Sequence, residues 1–358
     1  MNAASWAPAP GSHSGVADYA EALTRALGDI PVNLYHLGNN RLHAEVYDRA
    51  LREPGVIVLH DAVLHHFLLG RLSEEQYLAE WVFNYGEWRR ELGEELWRER
   101  ARSGTDPRYF RFPMIRRVVE ASKAVIVHNP GAAAIARAHG AKELTVIPHF
   151  HDPGTETFSS EEIARLREGL GAGRTTTVFG IFGYLRETKR VMPSLASFRR
   201  LHAAGRDVVL LLAGEAVSPD LGRLLATEAD HPAIHRRGHL TERELRLATA
   251  AVDCGVNLRY PAAGETSGIA IRLMGLGKPV IGSDIAENAD IPETAMLRVS
   301  PGPAEMEELF AQMALIEKYP GVARQIGAEA AAHIREHHSL GAVVRKYRET
   351  LARAARLT

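Results

Sequence analysis

Short apolar runs alternating with amphipathic stretches along almost the whole chain constrain its fold more than any other feature. VIVL at 56–59, AVIV at 124–127 and VVLLLA at 208–213 are unbroken apolar segments of strand length. Strands buried on both faces read as such runs, whereas half-exposed strands alternate. Between them lie helical patterns such as GVADYAEALTRAL at 15–27 and VMPSLASFRRLHAAG at 191–205. This rhythm predicts parallel sheets covered by helices. PVNLYHL, GVIVLH, AVIVHN and ELTVIP supply a first set of strands, and TVFGIFG, DVVLLLAG, AIHRRGHL, CGVNLRY and KPVIGS a second. At 358 residues the chain is too long for one ordinary core. The polar break HFHDPGTETFSS and the punctuation GAGRTTT separate the two sets. We therefore read an α/β chain of two tandem doubly wound, Rossmann-like domains with an interdomain cleft, at 1–152 and 153–339. A last helix at about 340–358 packs back on the first domain. The first strand reads as short, because MNAASWAP carries little buried β pattern.

Charge and cysteine content narrow the partners. Lys and Arg number 43 against 44 Asp and Glu, so no whole-protein field gathers nucleic acid or an anionic membrane. The single cysteine, Cys254 in AVDCGVN, has apolar flanks and reads as a packed thiol; one cysteine also rules out a disulfide within the chain. No apolar run reaches the roughly 18 residues of a membrane span, and the start lacks a basic segment followed by an apolar core. These features predict a cytoplasmic protein that handles a small ligand.

One stretch departs from the alternation. Residues 73–104 are helical, charged and hold three of the four tryptophans. They insert after the strand ending at His60, either to shape a substrate site or as a solvated helical hairpin whose tryptophans pack inward.

In open parallel sheets ligands bind beyond the carboxyl ends of the strands. The loop PAPGSHSGVADY brings Gly11, Ser14 and Gly15 to the start of a helix, where bare N–H groups suit an anion or a sugar hydroxyl. VIVL delivers His60 and Asp61, with His65 and His66 a turn further on. Their spacing matches no zinc signature. TVFGIFGYLRETKRVM carries Arg186, Lys189 and Arg190 ahead of a helix, cations suited to a diphosphate. In RYPAAGETSGIAIRLMGLGKPVIGSD, Glu265 precedes Thr266, Ser267 and Gly268 at a helix start. The hydroxyls and N–H groups there suit phosphate, and the carboxylate suits sugar hydroxyls.

Taken together, the glycine loop at the first strand, HD after a buried strand, a G-x5-K loop ending at Lys189, and ETSG-helix-GKPVI resemble the retaining glycosyltransferases of family four, which have the GT-B fold. The resemblance implies a nucleoside-diphosphate sugar held mainly by the second domain and an acceptor hydroxyl by the first, with no metal and no cofactor. It makes His60, Glu265 and Lys189 the catalytic set: Glu265 and His60 approach the transferred sugar, and Lys189 the diphosphate. Gly15, Arg186, Arg190, Thr266, Ser267, Gly268 and Ile269 join them as donor-binding residues. Two positions depart from the family. The second glutamate of its pair falls at Leu273, and its usual arginine at Tyr184, which leaves Arg186, Arg190 and Arg259 as candidates to substitute for that cation.

The implied activity is metal-independent transfer of a sugar with retention of configuration. Two other functions stay open: a GT-B sugar-nucleotide hydrolase or epimerase, and a noncatalytic GT-B subunit that binds without turnover.

Overall fold

A computed structural model describes residues 3–9, 11–12, 14–154 and 156–357. Two all-parallel sheets form. The first contains β1 (Ser5–Trp6), β2 (Leu34–Leu37), β3 (Val56–Leu59), β4 (Ala124–Val127) and β5 (Leu144–Val146), in that spatial order. VIVL and AVIV are its fully buried central strands, as expected of apolar runs covered on both faces. β1 is only two residues long.

The second sheet contains β6 (Thr177–Phe182), β7 (Val208–Ala213), β8 (Ile234–Arg237), β9 (Cys254–Asn257), β10 (Val280–Ser283) and β11 (Leu297–Val299). Its order, β11-β10-β9-β6-β7-β8, reverses between β6 and β9. That reversal leaves a crevice where the connections depart to opposite sides, and ligands of doubly wound sheets bind there. The first sheet runs without such a reversal, although helices cover both its faces. Tyr19, Leu23 and Leu27 pack with Val343, Tyr347 and Leu351 on one face, while Val46, Tyr47, Val118 and Ala132 pack on the other.

Helix starts follow local chemistry. Ser73 with Gln76, Ser159 with Glu162 and Thr241 with Glu244 each form a capping box, satisfying N–H groups the helix leaves bare. The inserted stretch folds as helices Glu74–Tyr85 and Arg90–Glu99. Trp81 and Trp97 pack inward, joining Tyr35, Ile57 and Val118 in the core on one face of the first sheet, while Trp88 is 77% exposed. Cys254 is buried, and burial pushes its thiol pKa well up, as suits a packed residue.

The chain leaves the first sheet after β5 and returns at His338. The two crossings lie side by side: His151 N–H donates to His338 O at 2.7 Å, and His338 Nδ1 donates to His149 O at 2.6 Å. The last helix, Leu340–Ala354, packs on the first helix, Gly15–Leu27, and the Tyr19 and Tyr347 hydroxyls meet at 3.1 Å. Among the described residues no helix is long and apolar enough to cross a membrane.

Candidate active site

The crevice between β6 and β9 gathers residues from three loops. After β6, Gly183 adopts φ 82°, which a side chain rarely tolerates. A Cβ there would lie 3.0 Å from Lys189 Nζ and 3.8 Å from Ile269 Cγ1, so the glycine lets the ammonium approach the helix Gly268–Gly275. Lys189 Nζ donates to Phe182 O at 2.5 Å. An ammonium has three donors, and this carbonyl is the acceptor found for it among the described residues. Burial, then the Arg259 and Arg186 guanidinium groups, hold the Lys189 pKa well below its usual value, with Glu265 acting the other way.

From β9 the chain continues into the Glu265 loop. Asn257 Nδ2 donates to Ser267 Oγ at 2.7 Å, and Ser267 Oγ accepts the Ala270 N–H at 3.3 Å, capping the helix. Ser267 Oγ is thus used locally. The first N–H groups of a helix have no partner within it, and those of Ser267, Gly268 and Ile269, beside Lys189, have none among the described residues. Glu265 is occupied on both oxygens: Arg259 Nη1 donates to Oε1 at 2.6 Å, and the Ala263 N–H to Oε2 at 2.6 Å.

The Glu265 loop rests directly on the first domain. Val63 N–H donates to Ala263 O at 3.0 Å. Asn129 Nδ2 donates to Gly264 O at 2.9 Å and to Thr266 Oγ1 at 3.0 Å. Gly264 has φ 80°, and a Cβ on it would lie 2.5 Å from Ala62 Cβ. Thr266 thus takes part in the contact between domains through a lone pair of its hydroxyl, which keeps its own proton to donate. Asp61 comes into this junction with Oδ2 accepting the Asn39 N–H at 2.7 Å. Burial and then Glu265 raise its pKa to about 6, against the opposing effects of Asn39, Arg186 and Arg259.

His60 is buried within a chain of histidines. His128 Nδ1 faces Ile147 O at 2.8 Å and must donate to it, so in the neutral ring Nε2 is an acceptor. That acceptor takes the His60 Nδ1 proton at 3.3 Å, which makes His60 Nε2 the acceptor for His36 Nδ1 at 2.9 Å. Both ring nitrogens of His60 are consumed. Its expected direct hydrogen bond to a sugar hydroxyl is therefore not available in this arrangement. His36 Nε2 ends the chain as a buried nitrogen without a partner among the described residues. Burial and neighbouring rings hold His60 well below the usual histidine pKa, and His36 and His128 at about 3 and about 4. Tyr19 stands over the cluster, its ring centroid 5.0 Å from that of His60. Gly15 lies one turn before Tyr19 on the same helix face, where a Cβ would meet nothing within 4 Å.

Other expected residues are distributed differently. Arg190 is paired with Glu305 on a distant helix, its Nε donating at 2.9 Å to both carboxylate oxygens. Arg186 is exposed and acts electrostatically on Lys189 and Asp61. His65 belongs to the core under the inserted helices, with Nδ1 donating to Tyr109 O at 3.1 Å and Nε2 meeting the Tyr77 hydroxyl at 2.8 Å. Sequence reasoning missed Asn129. The strand-end rule could have found it, since Asn129 stands two residues beyond the end of β4.

No protein-family model matches the chain, and no curated protein sequence matches it. Solved structures do. HepE of Anabaena, in complex with UDP-glucose, aligns with TM-score 0.66 and 16% identity over 94% of this chain and 82% of that one. WaaG, a glycosyltransferase involved in lipopolysaccharide biosynthesis, aligns with TM-score 0.65 and 13% identity over 97% of each chain. Sucrose-phosphate synthase from Thermosynechococcus elongatus aligns with TM-score 0.63 and 17% identity over 93% of this chain and 76% of that one. At such low identity the likeness speaks for architecture, and with the two parallel sheets above it identifies the chain as a GT-B fold of two Rossmann-like domains.

Proposed function

We propose that this chain is a retaining glycosyltransferase moving a sugar from a nucleoside diphosphate to a hydroxyl acceptor without a metal. In this reading 153–339 is the donor domain, and 1–152 with the last helix is the acceptor side. The observation that carries it is Lys189, an ammonium held by one carbonyl and set against the first turn of Gly268–Gly275 at the β6/β9 reversal. A cation and a helix start together suit a departing diphosphate. HepE was crystallised with UDP-glucose and with UDP, which supports the same donor class here.

The chemistry asks little more of the protein. As the bond from the anomeric carbon to the diphosphate breaks, negative charge grows on the phosphate oxygens and positive charge on the sugar ring. Lys189 and the N–H groups of Gly268 and Ile269 meet the first, and Glu265 the second. The acceptor oxygen bonds to the anomeric carbon on the face the leaving group vacates, and its proton passes to a diphosphate oxygen. His60, with both nitrogens engaged, shapes the wall behind the sugar.

A noncatalytic subunit is the second reading, favoured by Leu273 and Tyr184 and by the engaged nitrogens of His60. The test is to incubate a panel of nucleoside-diphosphate sugars with alcohol acceptors and follow the anomeric proton by NMR. An α-linked donor giving an α-linked product supports the proposal. Free sugar alone points to a hydrolase, inverted product contradicts retention, and binding without turnover supports the noncatalytic reading.

A further inference from the structure

On the donor reading, Tyr184 stands where the resembled family has a second cation beside Lys189. Of the three arginines open to that role, Arg190 is held by Glu305 and Arg186 lies on an exposed turn. Arg259 is different. It enters from the loop after β9, on the far side of the strand-order reversal from Lys189, and the two loops are stitched together. The Tyr260 N–H donates to Thr188 O at 2.7 Å, one residue before Lys189. The Arg259 N–H donates to Ser283 Oγ at 2.9 Å, which fixes its backbone.

The Arg259 side chain is only 18% exposed and is incompletely used. Nη1 is paired with Glu265 Oε1 at 2.6 Å, and Nε is buried without a partner among the described residues. A guanidinium carries five donors in a rigid fork suited to phosphate. Its carboxylate partner has a second anchor, the Ala263 N–H on Oε2 at 2.6 Å, so Glu265 keeps its position when Arg259 lets go. Arg259 acts electrostatically on Lys189, Asp61 and Glu287 as well as pairing with Glu265.

We propose that Arg259 supplies the second cation for the donor diphosphate by exchanging its ion pair with Glu265 for the phosphate oxygens. The exchange rests on the donor reading above and extends it. It frees Glu265 Oε1 for a sugar hydroxyl when the diphosphate is in place, so one movement arms both halves of the site. No bond to carbon is made or broken.

Calorimetric titration of UDP, ADP, GDP and dTDP into the full chain tests it, with circular dichroism as a check on folding. At least one of these binds the wild type, Arg259→Ala weakens that binding at least about tenfold, as loss of a charge-assisted contact does, and Arg259→Lys falls between. Glu265→Gln tightens binding, because Arg259 then has no competing carboxylate, and the gain disappears in the Arg259→Ala background. Unchanged affinity in folded Arg259→Ala overturns the exchange, as does a Glu265→Gln gain that persists undiminished without Arg259. Should Arg259→Ala not fold, failure of Glu265→Gln to raise affinity overturns it equally. A wild type that binds none of the four nucleotides removes the donor reading itself, and the exchange with it.

Discussion

Leu273 illustrates what a single position does to ligand choice. Its side chain is 1% exposed, and its Cδ1 lies 2.4 Å from where a Cβ on Gly255 would be, so the leucine fills space that the glycine leaves under the helix. It is core, and no carboxylate stands there to grip a ribose. A site that buries a carboxylate for two ribose hydroxyls leaves an acceptor unpaired when one is missing, at a cost of about 1–3 kcal/mol. Without it, UDP and dTDP should bind with affinities within about tenfold of each other, that cost being absent. Competition between the two nucleotides measures this, and a hundredfold preference for UDP would mean that another group holds the 2′-hydroxyl.

Among the elements, strands and helices were legible because burial on both faces writes itself as apolar runs and amphipathic periods. The loops around Lys189 and Glu265 were legible for a related reason: glycines and strand ends mark where a parallel sheet opens to ligands. Partners distant in sequence were not. Arg190 reads as a free cation until Glu305, on a helix far along the chain, is brought to it. His60 reads as a sugar ligand until β2 and β4 deliver His36 and His128 to its two nitrogens. This junction of strand ends also governs the response to acid. Burial holds His36 at about 3, His43 and His128 at about 4, and His149 at about 3, all below the unfolded value of about 6.5. A base with a depressed folded pKa contributes stability that is present above the unfolded pKa and lost as pH falls towards the folded one. Each such histidine costs up to about 1.4 kcal/mol per pH unit between about pH 6.5 and 4. Asp61, raised to about 6, acts in the opposite direction, gaining stability as pH falls to about 4, and one carboxyl offsets only one of the four rings. Denaturant unfolding at pH 7.5, 6 and 5 should therefore give steadily lower stability; a flat profile contradicts a neutral buried cluster.

For the molecule as a whole, the two domains are joined by paired crossings near His151 and His338 and meet again through the Glu265 loop. Asn129 makes two hydrogen bonds across that second junction. Removing it with Asn129→Ala should lower the transfer rate up to about tenfold, since each lost bond is worth about 0.5–1.5 kcal/mol to the closed form. Nucleotide affinity, which the proposed function assigns to the second domain, should change by less than about twofold, far below the effect of losing a charge-assisted contact. Steady-state kinetics beside calorimetry separates the two; equal losses in both would place Asn129 in nucleotide binding itself.

On the proposed function a nucleoside diphosphate sits at the β6/β9 reversal between Lys189 and the start of Gly268–Gly275. Calorimetric titration of the best-binding nucleoside diphosphate into wild type and folded Lys189→Ala tests it most directly. The variant should lose about 1–3 kcal/mol in binding free energy, the worth of one charge-assisted contact. Identical affinity in the two proteins would contradict it.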